Sequence, residues 1–294
     1  RRVRGARDTH SLRLSAYAKE DHGQPVYAVS FCPFPKPLCR FVGAAGGNRT
    51  TIYECTDSGS LRVAQAFLDE DEDEEFFCLV WMPHWRDPHA LVAVAGNCGL
   101  IKILNTQTHQ RCRVLVGHGN AVNDLKEHPT NPTLLLSASK DESVRLWDVR
   151  AGVCVAIFAG HNGHRDEVLS IAIHVSGESF VSSGMDNTVR VWSLQDANVR
   201  AAIDRAADLP EADGEPKLVV SEKKAAAAAA AAAAGEAAAA TSEKRSPFRT
   251  HYEQFPAFST RKVHRDYVDC VAWVGDLLLS KSTKNKLLLW RPDV

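Results

Sequence analysis

The chain has 294 residues, 45% of them hydrophobic, which suits one large or two average domains with a sizeable core. Its formal net charge of -1 offers no general attraction for nucleic acid or a membrane surface, so any charged recognition must be local. The eight cysteines show neither C-x-x-C spacing nor a zinc-like cluster with histidine, and neither a membrane-spanning run nor a signal peptide is visible, which favours reduced thiols in a cytosolic or nuclear protein.

A short basic tail, residues 1–18, opens the chain and contains Arg1, Arg2 and Arg4. We expect this tail to be disordered, with contact to DNA as the alternative. The predicted organisation after the tail is a repetitive region over 19–195, a low-complexity insertion over 196–250 and a last repeat over 251–294.

The first two repeats are the least regular. The first is marked by His22 and by Tyr53, which stands where the later repeats have Trp. The second, around 76–105, keeps an alternating strand pattern but has Cys98 and Leu104 where the later repeats have Asp and Trp. Both are predicted to form strands without the complete side-chain motif of the repeats that follow.

Two segments in the middle of the chain carry that motif in full. Each has a Gly-His pair, then a Ser, an Asp four residues after the Ser, and a Trp six residues after the Asp. This spacing is typical of the WD40 repeat, in which the four side chains form a hydrogen-bonded relay inside one blade of a β-propeller. We therefore interpret these histidines as structural rather than catalytic. The predicted relays are His118, Ser137, Asp141, Trp147 and His164, Ser182, Asp186, Trp192.

The last repeat has His264, Ser280 and Trp290, but Lys284 stands where the Asp is expected. Five repeats of about 40–45 residues each are thus visible, which predicts an all-β WD40 propeller with about five blades in this chain. Propellers of this class usually close with more blades, so we expect about two further blades beyond residue 294.

The stretch from 196 to 250 breaks the repeat. It includes an uninterrupted alanine run, Ala225–Ala234, flanked by polar residues. Alanine favours helix, but the stretch has little to bury, so we expect a disordered surface loop. A passive insertion and a partner-binding segment both remain open.

The repeat register also predicts a binding face. The residue five positions after each relay His falls early in the innermost strand, where a propeller opens its central channel; in the degenerate second repeat, alignment of the strands supplies the equivalent residue. The predicted ring consists of Tyr27, Phe77, Asn123, Leu169 and Asp269.

Tyr27 and Phe77 come from neighbouring blades and are predicted to form a partial aromatic wall. Such walls bind quaternary ammonium groups by cation–π attraction, although aromatics that simply pack the inner strand are the alternative. The acidic run 69–75 enters the strand that carries Phe77, and it is either a solvated loop or a patch that steers a basic peptide. Lys140 is expected on the same rim.

Several longer motifs closely resemble one family, known as extra sex combs or embryonic ectoderm development and, in plants, as fertilization-independent endosperm. The resemblance covers about 19–195 and 250–294. The motifs include Leu136-Ser137-Ala138-Ser139-Lys140-Asp141-Glu142-Ser143, Gly163-His164-Arg165-Asp166-Glu167-Val168-Leu169-Ser170 and His264-Arg265-Asp266-Tyr267-Val268-Asp269-Cys270.

The resemblance implies a seven-bladed propeller in the nucleus, a subunit of Polycomb repressive complex 2. It implies partnership with the SET-domain histone methyltransferase subunit of the Enhancer of zeste type, with the other subunits of that complex and with a trimethylated histone H3 tail. It further implies that Tyr27 and Phe77 belong to a methyl-lysine cage. The implied peptide rim is Asn123, Lys140, Tyr267 and Asp269. The remaining aromatics of the family's cage, a Trp among them, are expected beyond residue 294.

Two other classes of function, a generic adaptor and an enzyme, make different predictions from a methyl-lysine reader. A generic WD40 adaptor, for example a substrate receptor of a ubiquitin ligase, would bind through other surfaces and would not depend on Tyr27 or Phe77. An enzyme is not expected, because the sequence has no nucleophile–base pair, no phosphate-cradling glycine loop and no metal-ligand spacing. We accordingly expect no cofactor, no metal, no membrane association and no sequence-specific nucleic-acid binding.

Overall fold

The computed structural model describes residues 14–35, 38–212 and 248–292. Within these ranges the chain forms five β-sheets and a single α-helix, with a short 3-10 helix at Leu38–Arg40. The predicted all-β propeller class is confirmed. No helix in these ranges is long and apolar enough to cross a membrane.

Blades 1 and 2 are four-stranded antiparallel sheets whose strands follow one another in chain order. Blade 1 consists of β1 (Ala28–Phe31), β2 (Phe41–Gly46), β3 (Arg49–Cys55) and β4 (Leu61–Leu68). Blade 2 consists of β5 (Phe76–Pro83), β6 (Ala90–Gly96), β7 (Ile101–Asn105) and β8 (Gln110–Leu115).

Blades 3 to 5 differ from this pattern at their outer edges. Blade 3 consists of β9 (Val122–Glu127), β10 (Leu134–Ser139), β11 (Val144–Asp148) and β12 (Val153–Phe158), joined by β16 (His251–Glu253), which pairs with β12 in parallel. Blade 4 consists of β13 (Val168–Ile173), β14 (Ser179–Gly184), β15 (Val189–Ser193) and β17 (Phe258–Thr260). Blade 5 consists of β18 (Val268–Val274), β19 (Leu277–Ser282) and β20 (Lys286–Trp290).

The core lies between the blades. The inner strands β1, β5, β9, β13 and β18 pack against one another in chain order, so an interior sheet is covered on both faces. For this reason every residue of β6 is buried, as in a strand with apolar neighbours on either side. Trp147 fills the layer between blades 2 and 3, and Trp192 the layer between blades 3 and 4. Burial of one such ring contributes roughly 4–6 kcal/mol by transfer area.

The two end blades carry exposed apolar side chains. Val29 on β1 is 64% exposed and Leu287 on β20 is 63% exposed. Leu125, which occupies in blade 3 the position of Val29 in blade 1, is buried between blades. The exposed faces of β1 and β20 are therefore the kind of surface that interior blades cover.

The segment predicted as a surface loop contains an ordered helix. Residues Ala197–Ala207 form α1, which Asp196 caps by accepting hydrogen bonds from the first-turn backbone. The helix buries Val199, Ala202 and Ala206 in the apolar layer of blades 3 and 4. The expectation that 196–250 buries little was therefore wrong at its start, because alanine and valine at helical spacing give a small apolar face. The alanine run 225–234 lies outside the described residues.

The boundary expected at residue 251 also differs from the sheet boundaries. Strand β16 extends blade 3 and β17 completes blade 4, so only the residues after Thr260 enter blade 5. A strand that returns from the far side of an insertion satisfies the open hydrogen-bonding edge of an earlier sheet. Short strands of this kind carry no periodic pattern, which is why the repeat spacing did not locate them.

Candidate functional site

The five ring positions predicted from the repeat register are structurally equivalent. In blades 2 to 5 the pairing between the inner strand and its neighbour skips one residue, and the skipped residue is in each case the ring residue. In blade 1 the equivalent residue immediately precedes β1. In a β-bulge the extra residue is not paired with the neighbouring strand, and its side chain changes direction. Such bulges are common beside binding sites. The ring residues are Tyr27, Phe77, Asn123, Leu169 and Asp269.

Glycines on the second strand make room for the backbone that leads into the ring position in three blades. A Cβ at Gly96 would lie 1.7 Å from the carbonyl oxygen of Glu75, and one at Gly184 would lie 2.2 Å from the carbonyl oxygen of Glu167. Such contacts are impossible without moving backbone, so only glycine fits there. The same close approach occurs at Gly46 in blade 1.

Tyr27 and Phe77 are in contact. Their ring centroids lie 5.2 Å apart with an angle of 81° between the planes, an edge-to-face arrangement. Tyr27 is 50% exposed, whereas Phe77 is partly buried. Two rings at nearly a right angle, one of them open to solvent, form an apolar, electron-rich corner.

The predicted rim residues on blade 3 also connect blades 3 and 4. Asn123 donates its side-chain amide to the carbonyl of Val168 at 2.9 Å. The Lys140 ammonium lies 2.8 Å from a carboxylate oxygen of Glu167. The pKa of Lys140 is raised by this pairing. Asn123 and Lys140 therefore already have partners, and a peptide on this rim would share or displace them.

The predicted rim residues on blade 5 are more available. Tyr267, which precedes the bulge of β18, is 43% exposed. One carboxylate oxygen of Asp269 lies 2.6 Å from the Lys281 ammonium, and the other is buried without a hydrogen-bond partner. An unsatisfied carboxylate oxygen at the ring position is a ready acceptor for a donor on a ligand.

The acidic run divides into structural and open residues. Lys102 is buried on β7 and pairs with Asp69 at 2.6 Å and with Glu74 at 3.1 Å. Burial raises the pKa of Glu74, against the opposing attraction of Lys102. This ion group stands in blade 2, which lacks the relay. The run is therefore not simply a solvated loop.

The later residues of the run line an open cavity at the entry to the segments that carry the aromatic pair. This cavity has a volume of about 850 Å³ and is bordered by Glu72 and Glu75, with Asn97 from the next turn and Gln24 from the segment before Tyr27. Its lining is rich in carboxylates and amides, which suits a cationic or hydrogen-bonding group.

The relay of blade 3 is complete. The Ser137 hydroxyl accepts the indole N–H of Trp147 at 2.8 Å and meets the His118 ring at 2.6 Å. Asp141 holds the other ring nitrogen of His118 at 2.9 Å. Burial lowers the pKa of His118, so its ring is neutral at neutral pH.

The relay of blade 4 repeats these contacts. Ser182 lies 2.7 Å from His164 and accepts the Trp192 indole at 2.9 Å. Asp186 lies 3.1 Å from the other nitrogen of His164. Burial works to raise the pKa of Asp186, but the hydrogen bond and charge attraction of His164 outweigh it, and that pKa lies well below its usual range. The four side chains satisfy one another and leave no free base.

The relay of blade 5 is incomplete. His264 meets Ser280 at 2.7 Å, and Trp290 donates to Ser280 at 2.9 Å. Lys284 points away to Asp266, so the Nδ1 atom of His264 is buried without a partner. Burial lowers the pKa of His264.

Blade 1 uses a carboxylate that sequence reasoning did not identify. Glu20 accepts hydrogen bonds from Tyr53 and Arg49. Burial, with the hydrogen bond to Glu20, raises the pKa of Tyr53 to about 12. Tyr53 had been placed in the Trp position by register, but the sequence offered no signal for its partner, because Glu20 lies outside the repeat motif.

The WD domain, G-beta repeat model matches residues 109–148 and 152–193, the segments that contain the two complete relays. Over most of its length the chain also aligns with Polycomb proteins. It is 38% identical over 273 residues to Polycomb group protein FIE2 of Zea mays, and 36% identical over 283 residues to Polycomb protein esc of Drosophila virilis. This chain is a relative of the Polycomb esc and FIE proteins. The resemblance predicted from the sequence is confirmed.

The alignments cover more of this chain than of its relatives. The match to FIE2 spans 92% of the chain and 62% of FIE2, and the match to esc spans 96% of the chain and 60% of esc. The chain thus spans about three fifths of the length of these curated relatives.

Solved structures show the same similarity. One chain of the Chaetomium thermophilum Polycomb repressive complex 2 bound to GSK126 superposes with a TM-score of 0.71 at 25% identity, covering 97% of this chain and 55% of that one. A chain of ctPRC2 in complex with H3K27me3 superposes with a TM-score of 0.68 at 25% identity, covering 91% of this chain and 48% of that one. The fold of the described blades and the sequence resemblance therefore point to the same family of proteins.

Proposed function

We propose that the chain is a non-catalytic reader and scaffold subunit of a Polycomb histone H3 methyltransferase complex, and that Tyr27 and Phe77 bind a trimethylated lysine of the H3 tail. The observation that carries this proposal is the edge-to-face contact of the two rings, 5.2 Å apart, at structurally equivalent positions of neighbouring blades. The rings come from separate blades, so a packing role alone would not need both at these positions.

The physical basis is cation–π attraction. A quaternary ammonium group has no N–H to donate, so aromatic faces rather than carboxylate hydrogen bonds select it. Each ring contributes about 0.5–2 kcal/mol, with the larger values where water is excluded. The open cavity lined by Glu72 and Glu75 lies at the entry to the segments that carry the two rings and would attract the basic side chains of a histone tail.

The hydrogen bonds of the two complete relays support a non-catalytic, scaffolding role. In the two complete relays the histidine is bonded on both sides, by Ser and by Asp, so it is not available as a general base. We accordingly assign the methyl transfer to a SET-domain partner of the Enhancer of zeste type, and place the protein in the nucleus with other subunits of Polycomb repressive complex 2. The relationship to esc and FIE proteins supports this assignment.

The test is calorimetric titration of the full-length natural protein with H3 tail peptides that are trimethylated or unmodified. Selective binding of the trimethylated peptide is expected, and Tyr27→Ala should weaken it roughly 2- to 30-fold, the equivalent of one ring. Tyr252→Ala is the matched control, because Tyr252 is also 50% exposed but lies on β16 at the outer edge of blade 3.

Equal binding of both peptides by the folded protein would refute the reader function. Equal losses in Tyr27→Ala and Tyr252→Ala would show that the peptide binds elsewhere, as a generic adaptor would require.

A further inference from the structure

A short loop after β5 gathers three metal-ligating side chains. His84, Asp87 and His89 each place one ligand atom within 4.8 Å of the other two. The loop is closed by a backbone hydrogen bond from the His84 N–H to the His89 carbonyl at 3.0 Å, so the three side chains leave a narrow turn between β5 and β6. The loop lies at the opposite end of β5 from Phe77, away from the aromatic pair.

The ring of His84 has the tautomer that a metal needs. Its Nδ1 atom accepts the backbone N–H groups of Arg86 at 3.2 Å and Asp87 at 3.1 Å, which places the proton on Nε2 and the lone pair on Nδ1. To bind a cation, this lone pair would have to leave two hydrogen bonds of ordinary length.

The spacing of His84 and Asp87 matches that of two ligands on one ion. The His84 Nδ1 and Asp87 Oδ2 atoms lie 3.3 Å apart. Two ligands at about 2.1 Å from a tetrahedral zinc ion are separated by about 3.4 Å. The chelating pair therefore needs little rearrangement to accept the ion.

His89 supplies an independent indication. Both of its ring nitrogens are buried and have no hydrogen-bond partner. Its ring lies 4.3 Å from the ring of His84, at an angle of 30°. Buried polar atoms without partners are rare in native proteins, and a bound ion is one of the standard explanations.

We propose that His84, Asp87 and His89 form a divalent-metal site, and that its ligand is Zn²⁺. Two imidazoles and one carboxylate are a usual ligand set for zinc, leaving a fourth position for water or for a partner's side chain. Cysteine spacing in the sequence predicted no metal, but a loop of two histidines and one aspartate carries no such spacing signal. The ion would fix a loop whose Arg86 pairs with Glu211, in the segment after α1, at 2.9 Å.

A second group, Asp196, His251 and Glu253, also places ligand atoms within 4.8 Å of one another. It fits a cation less well. Asp196 caps α1, whose N-terminus carries positive partial charge, and His251 has no buried ring nitrogen without a partner, in contrast to His89. We use this group as the matched control rather than as a site.

The experiment is equilibrium dialysis of the metal-free full-length protein against buffered Zn²⁺, with bound zinc counted by elemental analysis. The proposal predicts one zinc site that is weakened at least about 10-fold in Asp87→Asn and in His89→Gln, since even the loss of supporting groups around a metal costs 10–100-fold. His251→Gln should bind as the wild type does. Asp87 is 58% exposed at its side chain, so its variant keeps the fold even if His89→Gln does not.

Cobalt(II) substitution identifies the ligands. A tetrahedral spectrum without thiolate charge-transfer bands would support nitrogen and oxygen ligation, whereas thiolate bands would assign the metal to the free cysteines and overturn the proposal. The proposal also fails if zinc does not bind at micromolar free concentration, if Asp87→Asn binds normally, or if only His251→Gln loses the ion. None of these results bears on methyl-lysine binding.

Discussion

The incomplete relay of blade 5 predicts a stabilising substitution, Lys284→Asp. In blades 3 and 4 an Asp at this position holds the relay histidine at 2.9 and 3.1 Å. In blade 5 the Nδ1 atom of His264 is buried without a partner, a defect that costs about 1–3 kcal/mol. The substitution loses the exposed pair of Lys284 with Asp266, which is worth about 0–1 kcal/mol. The expected net gain is about 1–2 kcal/mol.

The assay is equilibrium urea denaturation, monitored by tryptophan fluorescence because Trp290 belongs to the same relay. Lys284→Asp should raise the midpoint with an unchanged slope. Lys284→Ala is the control, since it removes the ammonium group without supplying an acceptor and should change the midpoint little. If both variants shift the midpoint equally, or if Lys284→Asp lowers it, the defect at His264 is not what limits blade 5.

Three further predictions concern the polar groups that hold the blades. Ser137→Ala removes the common partner of His118 and Trp147 and should destabilise the protein by about 2–4 kcal/mol, measured as a lower urea midpoint; an effect below about 0.5 kcal/mol would contradict the relay. Lys102→Met leaves Asp69 and Glu74 buried without their cation and should cost about 3–5 kcal/mol, whereas the triple variant that also replaces both carboxylates by amides should recover part of the loss in thermal melts. Because burial lowers the folded-state pKa of His118, the unfolded chain binds protons first, so stability should fall as the pH drops below about 6.5. The pKa of Asp141 also lies well below its usual range, so the stability from that carboxylate is present above about pH 4 and is lost in stronger acid. Urea midpoints that stay constant between pH 8 and pH 4 would refute the assignment for His118, and midpoints that stay constant below pH 4 would refute the assignment for Asp141.

The complete relays could be predicted from sequence because their members keep a fixed spacing. Ser, Asp and Trp occur at the same intervals in blades 3 and 4, and the geometry of a four-stranded blade requires those intervals. The same register located Tyr27 and Phe77 at equivalent positions, although only the structure shows the two rings in contact.

The contacts that escaped prediction join residues with no periodic relationship. Lys102 pairs with Asp69 across 33 positions, and Glu20 pairs with Tyr53 across a similar interval. Helix α1 and strand β16 were missed because tertiary packing on blade 3, rather than a repeat pattern, determines their structure. The charge of a side chain is visible in a sequence, but its partner is visible only when the fold is known.

The central claim is that two aromatic faces recognise the positive charge of a methylated lysine. The most direct measurement compares two H3 tail peptides by calorimetry, one with trimethyl-lysine and one with its neutral isostere, in which a carbon atom replaces the quaternary nitrogen. The two side chains have the same shape, so the difference in affinity reports the contribution of the positive charge, and the part of it that depends on Tyr27 reports the cation–π attraction. We predict that the neutral peptide binds the full-length protein at least about 5-fold more weakly, and that this difference shrinks in Tyr27→Ala. Equal affinities for the two peptides would contradict the account.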